Sequence, residues 1–175
     1  MIILALALAL SQEAPPEPID WDSEFGVEED VRDPVTGELP VDPYEQSNAN
    51  AGATPFGGER MAKLFGGQDG IRTIAERTVA LSQADPRIGE IFVAHDMVRL
   101  NRTLFEQFCY ILNAGCDYTG RDMATSHADM GVKGRDMNAL VENLQQAMRE
   151  QGVPFAAQNR FLAKLAPMSR DVLAD

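Results

Sequence analysis

The chain predicts an all-α domain of packed helix pairs, preceded by a disordered acidic extension. Three observations carry that expectation. Beyond residue 56, apolar residues recur three and four positions apart in several stretches, each closed by Gly, Pro, Asn or Asp. No stretch alternates apolar and polar residues as a half-buried strand would. The charge also divides at the same point: residues 1–55 hold 12 acidic residues and one basic residue, Arg32, while residues 56–175 hold 15 acidic and 14 basic. The folded part is therefore nearly neutral, which gives it no electrostatic reason to bind nucleic acid or anionic lipid.

Residues 1–11 open on an apolar run, Met1 to Leu10, that is too short for a bilayer, which takes about 20 residues. The run fits the apolar core of a secretory signal, with Ala9-Leu10-Ser11 ahead of a cut before Gln12. The expectation is a periplasmic or secreted protein that does not insert in the membrane once the signal is removed. No Lys or Arg precedes the run, which keeps a cytoplasmic location as the alternative. Residues 12–55 are acidic, rich in proline and poor in bulky apolar side chains. Such a composition buries too little surface to offset the entropy of ordering, so a disordered linker is expected. Ile19-Asp20-Trp21 and Glu24-Phe25-Gly26-Val27 are its only candidate docking points.

Residues 56–175 form the folded domain. Ile71, Ile74, Ala75, Thr78, Val79 and Leu81 share a helix face, closed by Asp85-Pro86. A short helix follows over 87–92. Asp96 reads as the N-cap of a long helix whose apolar face is Met97, Leu100, Leu104, Phe108, Ile111 and Leu112. After a loop at Gly115–Gly120 comes a weakly periodic piece ending at His127. Asp136 to Glu150 places Met137, Leu140, Val141, Leu144 and Met148 inward. Gly152-Val153-Pro154 breaks the chain before a last helix, 155–173, with Phe161, Leu162, Leu165 and Val172 inward.

Several tempting motifs fail. The glycine pairs Gly57-Gly58 and Gly66-Gly67 lack the Lys-Ser or Lys-Thr of a phosphate loop and follow no strand. Asn101-Arg102-Thr103 matches a glycosylation acceptor, but inside a helix. Cys109 and Cys116, seven apart, would lie about 10.5 Å apart along a continuous helix, beyond disulfide reach. Asn113-Ala114-Gly115 is expected to end the helix between them, which leaves a bridge open after export. Two reduced thiols are the expected state.

With only two histidines in the chain, His95 and His127, any imidazole chemistry rests on one of them. The stretch Tyr118-Thr119-Gly120-Arg121-Asp122-Met123-Ala124-Thr125-Ser126-His127 resembles the proximal segment of group I truncated haemoglobins. The likeness starts at Leu64-Phe65-Gly66-Gly67-Gln68-Asp69-Gly70-Ile71. It runs through Ala84-Asp85-Pro86-Arg87-Ile88-Gly89-Glu90-Ile91-Phe92 and Asp96-Met97-Val98-Arg99-Leu100. It ends at Gly152-Val153-Pro154 and Leu165-Ala166-Pro167. Each motif is weak alone, but their shared register is specific and spans about two thirds of the chain.

The resemblance implies a two-over-two helical sandwich holding haem b, its iron ligated by His127. It places Phe92 against the haem edge, with Leu100, Leu104 and Phe108 along the distal helix. Met123, Val132, Met137 and Leu140 fall on the proximal and rim side, and Arg99 and His95 where propionates emerge. Each of these residues also has a plain reading, as core for the apolar ones and solvated surface for Arg99 and His95. The family's Phe-Tyr pair is replaced here by Thr78 and Val79, and its distal glutamine by Leu104. An apolar distal pocket is expected, one that holds O2 less tightly than CO or NO, with Thr78 the one hydroxyl near enough to substitute. His95 and Met97 sit too near the rim to complete the iron.

The implied function is reversible binding of O2, CO or NO, with oxygen transport, gas sensing and redox exchange as its variants. An electron donor, or a membrane protein engaged by the acidic tail, is a candidate partner. A haem-free globin-fold interaction module and a nitric oxide dioxygenase are the alternatives. The missing distal donors count against the second, and peroxidase-like turnover would lack a distal acid or base.

Overall fold

A computed structural model describes residues 31–173. The expected signal at 1–11 and the candidate docking points at 19–27 lie outside those residues. Among them every element is helical and there is no strand. The helices are α1 (Arg60–Leu64), α2 (Gly67–Ala84), α3 (Met97–Ile111), α4 (Met123–His127), α5 (Gly134–Glu150), α6 (Phe155–Leu165) and α7 (Ser169–Val172). Three 3-10 turns, Asn48–Ala51, Gly89–Phe92 and Ala166–Met168, join them.

The long helices pair antiparallel. On one side of α2, Gln68 donates to the Ala114 carbonyl at 2.8 Å, and the Arg72 guanidinium lies 3.7 Å from the centroid of the Phe105 ring. On the other side, Arg77 meets Glu150 at 2.6 Å and the Asn143 amide reaches Ser82 at 3.4 Å, so α5 runs back along α2. Helix α6 closes the second layer. Its Phe161, fully buried, stands edge-on to Phe65 at 5.2 Å and to Phe108 at 5.1 Å. Ile71, Ile74, Ile111, Leu112 and Met148 complete the core around these rings. Burying a side chain of that size contributes about 2–3 kcal/mol.

Asp96 caps α3 as expected, accepting from the Val98 N–H at 3.2 Å. The expected last helix is instead broken. Pro167 has no N–H to continue the ladder, so the chain tightens into a 3-10 turn before α7. Inward positions on α5 are also shifted. Ala139, Asn143, Leu144, Ala147 and Met148 are buried, whereas Met137, Leu140 and Val141 are half-buried.

Two expectations need correcting. The first is the linker. Residues 32–55 do not lie free but form a strap along the polar side of α3. Arg32 donates to Asp96 at 2.8 Å, and the Leu39 N–H donates to the other oxygen of that carboxylate at 2.8 Å. Glu38 is buried between Arg99 and Arg102, and Arg102 reaches on to Glu106 at 3.0 Å. Glu38 and Glu106 hold the Arg102 guanidinium even more firmly protonated than usual. Composition argued for disorder because it weighs apolar burial. This segment is ordered by hydrogen bonds and counter-charges supplied by α3.

The second is the cysteine pair, which is a disulfide. Helix α3 ends at Ile111. Asn113, with φ of 60°, lets the Ala114 N–H donate back to the Cys109 carbonyl at 2.9 Å, and Gly115, with φ of 86°, completes the reversal. The Cα atoms of Cys109 and Cys116 end 5.6 Å apart, within bonding range.

Candidate haem site

His127 is the last residue of α4, a helix of five residues. Its N-cap is Asp122, which accepts from the Thr125 N–H at 2.9 Å and from the Thr125 hydroxyl at 2.8 Å. Those bonds hold the Asp122 carboxyl below the ordinary aspartate range. The His127 Nδ1 lies 2.8 Å from the Met123 carbonyl. A carbonyl oxygen only accepts, so Nδ1 is the donor, and in the neutral imidazole the lone pair then lies on Nε2. That is the tautomer a ligating imidazole needs, with its orientation set by the second nitrogen.

Of the remaining expected site residues, Phe92, Leu100, Met137 and Leu140 are brought to one end of the bundle, whereas Met123 sits against Gln107 in the C-terminal half of α3. Because α3 and α5 run antiparallel to α2, their N-terminal halves lie beside the C-terminal end of α2. The 3-10 turn carrying Phe92 packs on α2 as well. There the apolar stripes lose their cover. On α3, Ile111 and Phe108 are buried, while Leu104 and Leu100 on the same stripe are half-buried. On α5, Met148 and Leu144 are buried, while Leu140 and Met137 are half-buried. Phe92, Met123 and His127 are half-buried too, and Val132 is buried. Helix ends that leave large apolar side chains partly uncovered fit a flat, mainly apolar group. Phe108 differs: its ring is committed to the core against Phe161.

Thr78 and Val79 are buried on α2. The Thr78 hydroxyl donates to the Ile74 carbonyl one turn back at 2.7 Å, so its single proton is already used. Arg99 does not stand free for a propionate. It faces the Leu39 carbonyl and sits 3.3 Å from Glu38, both on the strap. His95 is exposed.

Sequence reasoning missed the residues that place α4. Gln107, buried on α3, donates its amide to the Ala51 carbonyl at 3.0 Å, and the same nitrogen is 3.3 Å from the Met123 sulfur. Tyr118 is buried and donates its hydroxyl to the Arg121 carbonyl at 2.9 Å, folding over Gly120, where a Cβ would meet that oxygen at 2.2 Å. Burial pushes the Tyr118 phenol up to about 12, with Tyr44 and Glu106 adding to the rise. The pattern Asp122-x-x-Thr125 was the one available signal, as a helix cap before an otherwise unconvincing helix.

An antiparallel all-helical sandwich that leaves apolar stripes half-buried and carries a histidine oriented through Nδ1 has the build of a globin. The bacterial-like globin model matches residues 62–174, and the chain belongs to that family. Its relatives include the group 1 truncated haemoglobin of Mycolicibacterium paratuberculosis, 24% identical over 62% of this chain and 79% of the relative. Another is that of Tetrahymena pyriformis, 23% identical over 66% and 95%. The expected group I truncated globin family is borne out. The crystal structure of the Tetrahymena truncated haemoglobin in its Fe(III) form superposes with a TM-score of 0.63 at 22% identity, over 66% of this chain and 98% of that one. The Synechococcus 2/2 haemoglobin, in the cyanomet state with covalently attached heme, gives 0.60 at 22%, over 65% and 97%. These likenesses bear out the expected two-over-two sandwich.

Proposed function

We propose that the protein binds haem b through His127 Nε2 and binds diatomic gases reversibly at the opposite face. Such haem would supply an iron able to bind O2, CO or NO. The observation that carries this reading is the 2.8 Å bond from His127 Nδ1 to the Met123 carbonyl, which orients the ring and leaves Nε2 to ligate. Phe92, Leu100, Leu104, Met123, Val132, Met137 and Leu140 supply the apolar walls. On the distal side, Val79 and Leu104 offer no donor, and the Thr78 proton is spent within α2. The site therefore favours CO and NO over O2 and argues against nitric oxide dioxygenation, which depends on O2 being held well. Gas binding, sensing or exchange with an electron donor fits better than tight oxygen storage or transport.

The Cys109–Cys116 disulfide supports an oxidising compartment, and with it export to the periplasm or beyond. Among the described residues no helix is long and apolar enough to cross a membrane.

The test is an absorption spectrum during haem titration, ferric and then ferrous with CO, beside His127→Ala. A saturable Soret band that shifts with CO and changes in the variant is expected. A protein with no saturable band, or one indifferent to His127, would be a haem-free interaction module instead.

A further inference from the structure

We infer that residues 42–51 of the strap position the histidine helix, so that this part of the extension belongs to the proximal support of the site. The inference rests on the haem reading above. A five-residue helix has no independent stability, since isolated helices are marginal below about 12 residues. Its orientation must come from outside, and the strap supplies it almost residue by residue. Asn48 donates to the Asp117 carboxylate at 2.9 Å and accepts from the Tyr118 N–H at 2.7 Å. The Tyr44 hydroxyl donates to the Thr119 carbonyl at 2.9 Å, and the Asn50 amide to the Gly120 carbonyl at 3.2 Å. Arg121 donates to the Asp42 carbonyl at 2.8 Å, with its guanidinium 5.1 Å from the Tyr44 ring centroid.

Five consecutive residues, 117–121, are thus each tied to the strap, and the next one is the Asp122 cap of α4. The strap then reaches the helix itself. Ala51 accepts from Gln107, whose amide also touches the sulfurs of Met123, at 3.3 Å, and Met168, at 3.6 Å. Met123 is both the first residue of α4 and the acceptor for His127 Nδ1. A chain of direct contacts therefore runs from the strap to the imidazole. Tyr44, Asn48 and Asn50 act as positioning residues. None of them touches the ligand site.

The test combines Tyr44→Phe, Asn48→Ala and Asn50→Ala in the full chain. Arg77→Ala is the control, since it removes a surface ion pair between α2 and α5 and leaves the loop untouched. In haem-free protein, amide exchange at 123–127 is expected to quicken by about tenfold or more in the triple variant and not in the control. In the ferrous haem complex, the iron–histidine vibration should shift or broaden, and haem loss should quicken by about tenfold, the usual scale for outer partners of a ligating histidine. Tyr44→Phe alone keeps its ring beneath Arg121 and should show a smaller change of the same kind, which keeps the test open if the triple variant does not fold. Wild-type exchange, vibration and haem loss in the strap variants, with His127→Ala still abolishing the vibration, would overturn the inference. A wild-type protein with no His127-dependent vibration would overturn the haem reading instead, and the exchange measurement would still decide whether the strap holds α4.

Discussion

Thr78 donates its hydroxyl to the Ile74 carbonyl at 2.7 Å, so the one polar side chain expected on the distal side has no proton to give a ligand. Thr78→Val should therefore leave O2 dissociation within about twofold of wild type, because a donor worth less than 0.5 kcal/mol changes a rate by little more than that. Leu104→Gln, at a half-buried position, should slow O2 release by about tenfold, the effect of one donor worth about 1.4 kcal/mol, with a smaller change for CO. Stopped-flow off-rates for both gases decide the point.

The Cys109–Cys116 bridge closes a short loop that leads directly into residues tied to the strap. Removing it with Cys109→Ala and Cys116→Ala should lower stability by about 2 kcal/mol through the freed unfolded chain. Denaturant melts with and without reductant would show it: reductant should lower the midpoint of the wild type and leave the double variant unmoved.

Phe161 touches both Phe65 and Phe108 and is fully buried. Phe161→Ala should cost about 3–5 kcal/mol, from lost transfer energy and the cavity left behind. Phe155, 73% exposed on the same helix, should tolerate alanine within about 0.5 kcal/mol in the same melts.

Tyr118 carries a pH signature. Burial raises its phenol from 10.0 to about 12, so the folded state disfavours the ionised form. Its contribution to stability is complete below about pH 10 and is lost as pH rises through 12. Ultraviolet titration should show a late tyrosine step near pH 12. In Tyr118→Phe that late step should vanish, along with the matching loss of stability between pH 10 and 12.

The long helices were legible because their periodicity reports burial directly: Asp96 as a cap and the break at Gly152-Val153-Pro154 followed from local chemistry. His127 was legible through its register with a family, and α4 was barely legible by itself. Its five residues have no periodicity to read, and what holds them lies some 75 positions earlier in a segment that composition assigned to disorder. The bonds that Tyr44 and Asn50 donate to backbone carbonyls, and the one that Asn48 accepts from a backbone N–H, leave no pattern in a sequence, because any polar residue of suitable reach would serve. The disulfide was missed for a related reason. Whether two cysteines meet depended on φ at Asn113 and Gly115, which spacing does not contain.

The histidine helix also sets an order of assembly. Met123 is held by Gln107, which bridges Ala51 on the strap and Met168 near the C-terminal end of the described residues. Contacts so distant in sequence form late, after the local helices. On the ribosome, residues 60–112 can pair as α2 and α3 while the contact of Gln107 with Met168 is still missing. The contacts that fix Met123, and through it the imidazole, are then complete only once Met168 has docked against Gln107, so the orientation of His127 is settled after the helix pair rather than with it.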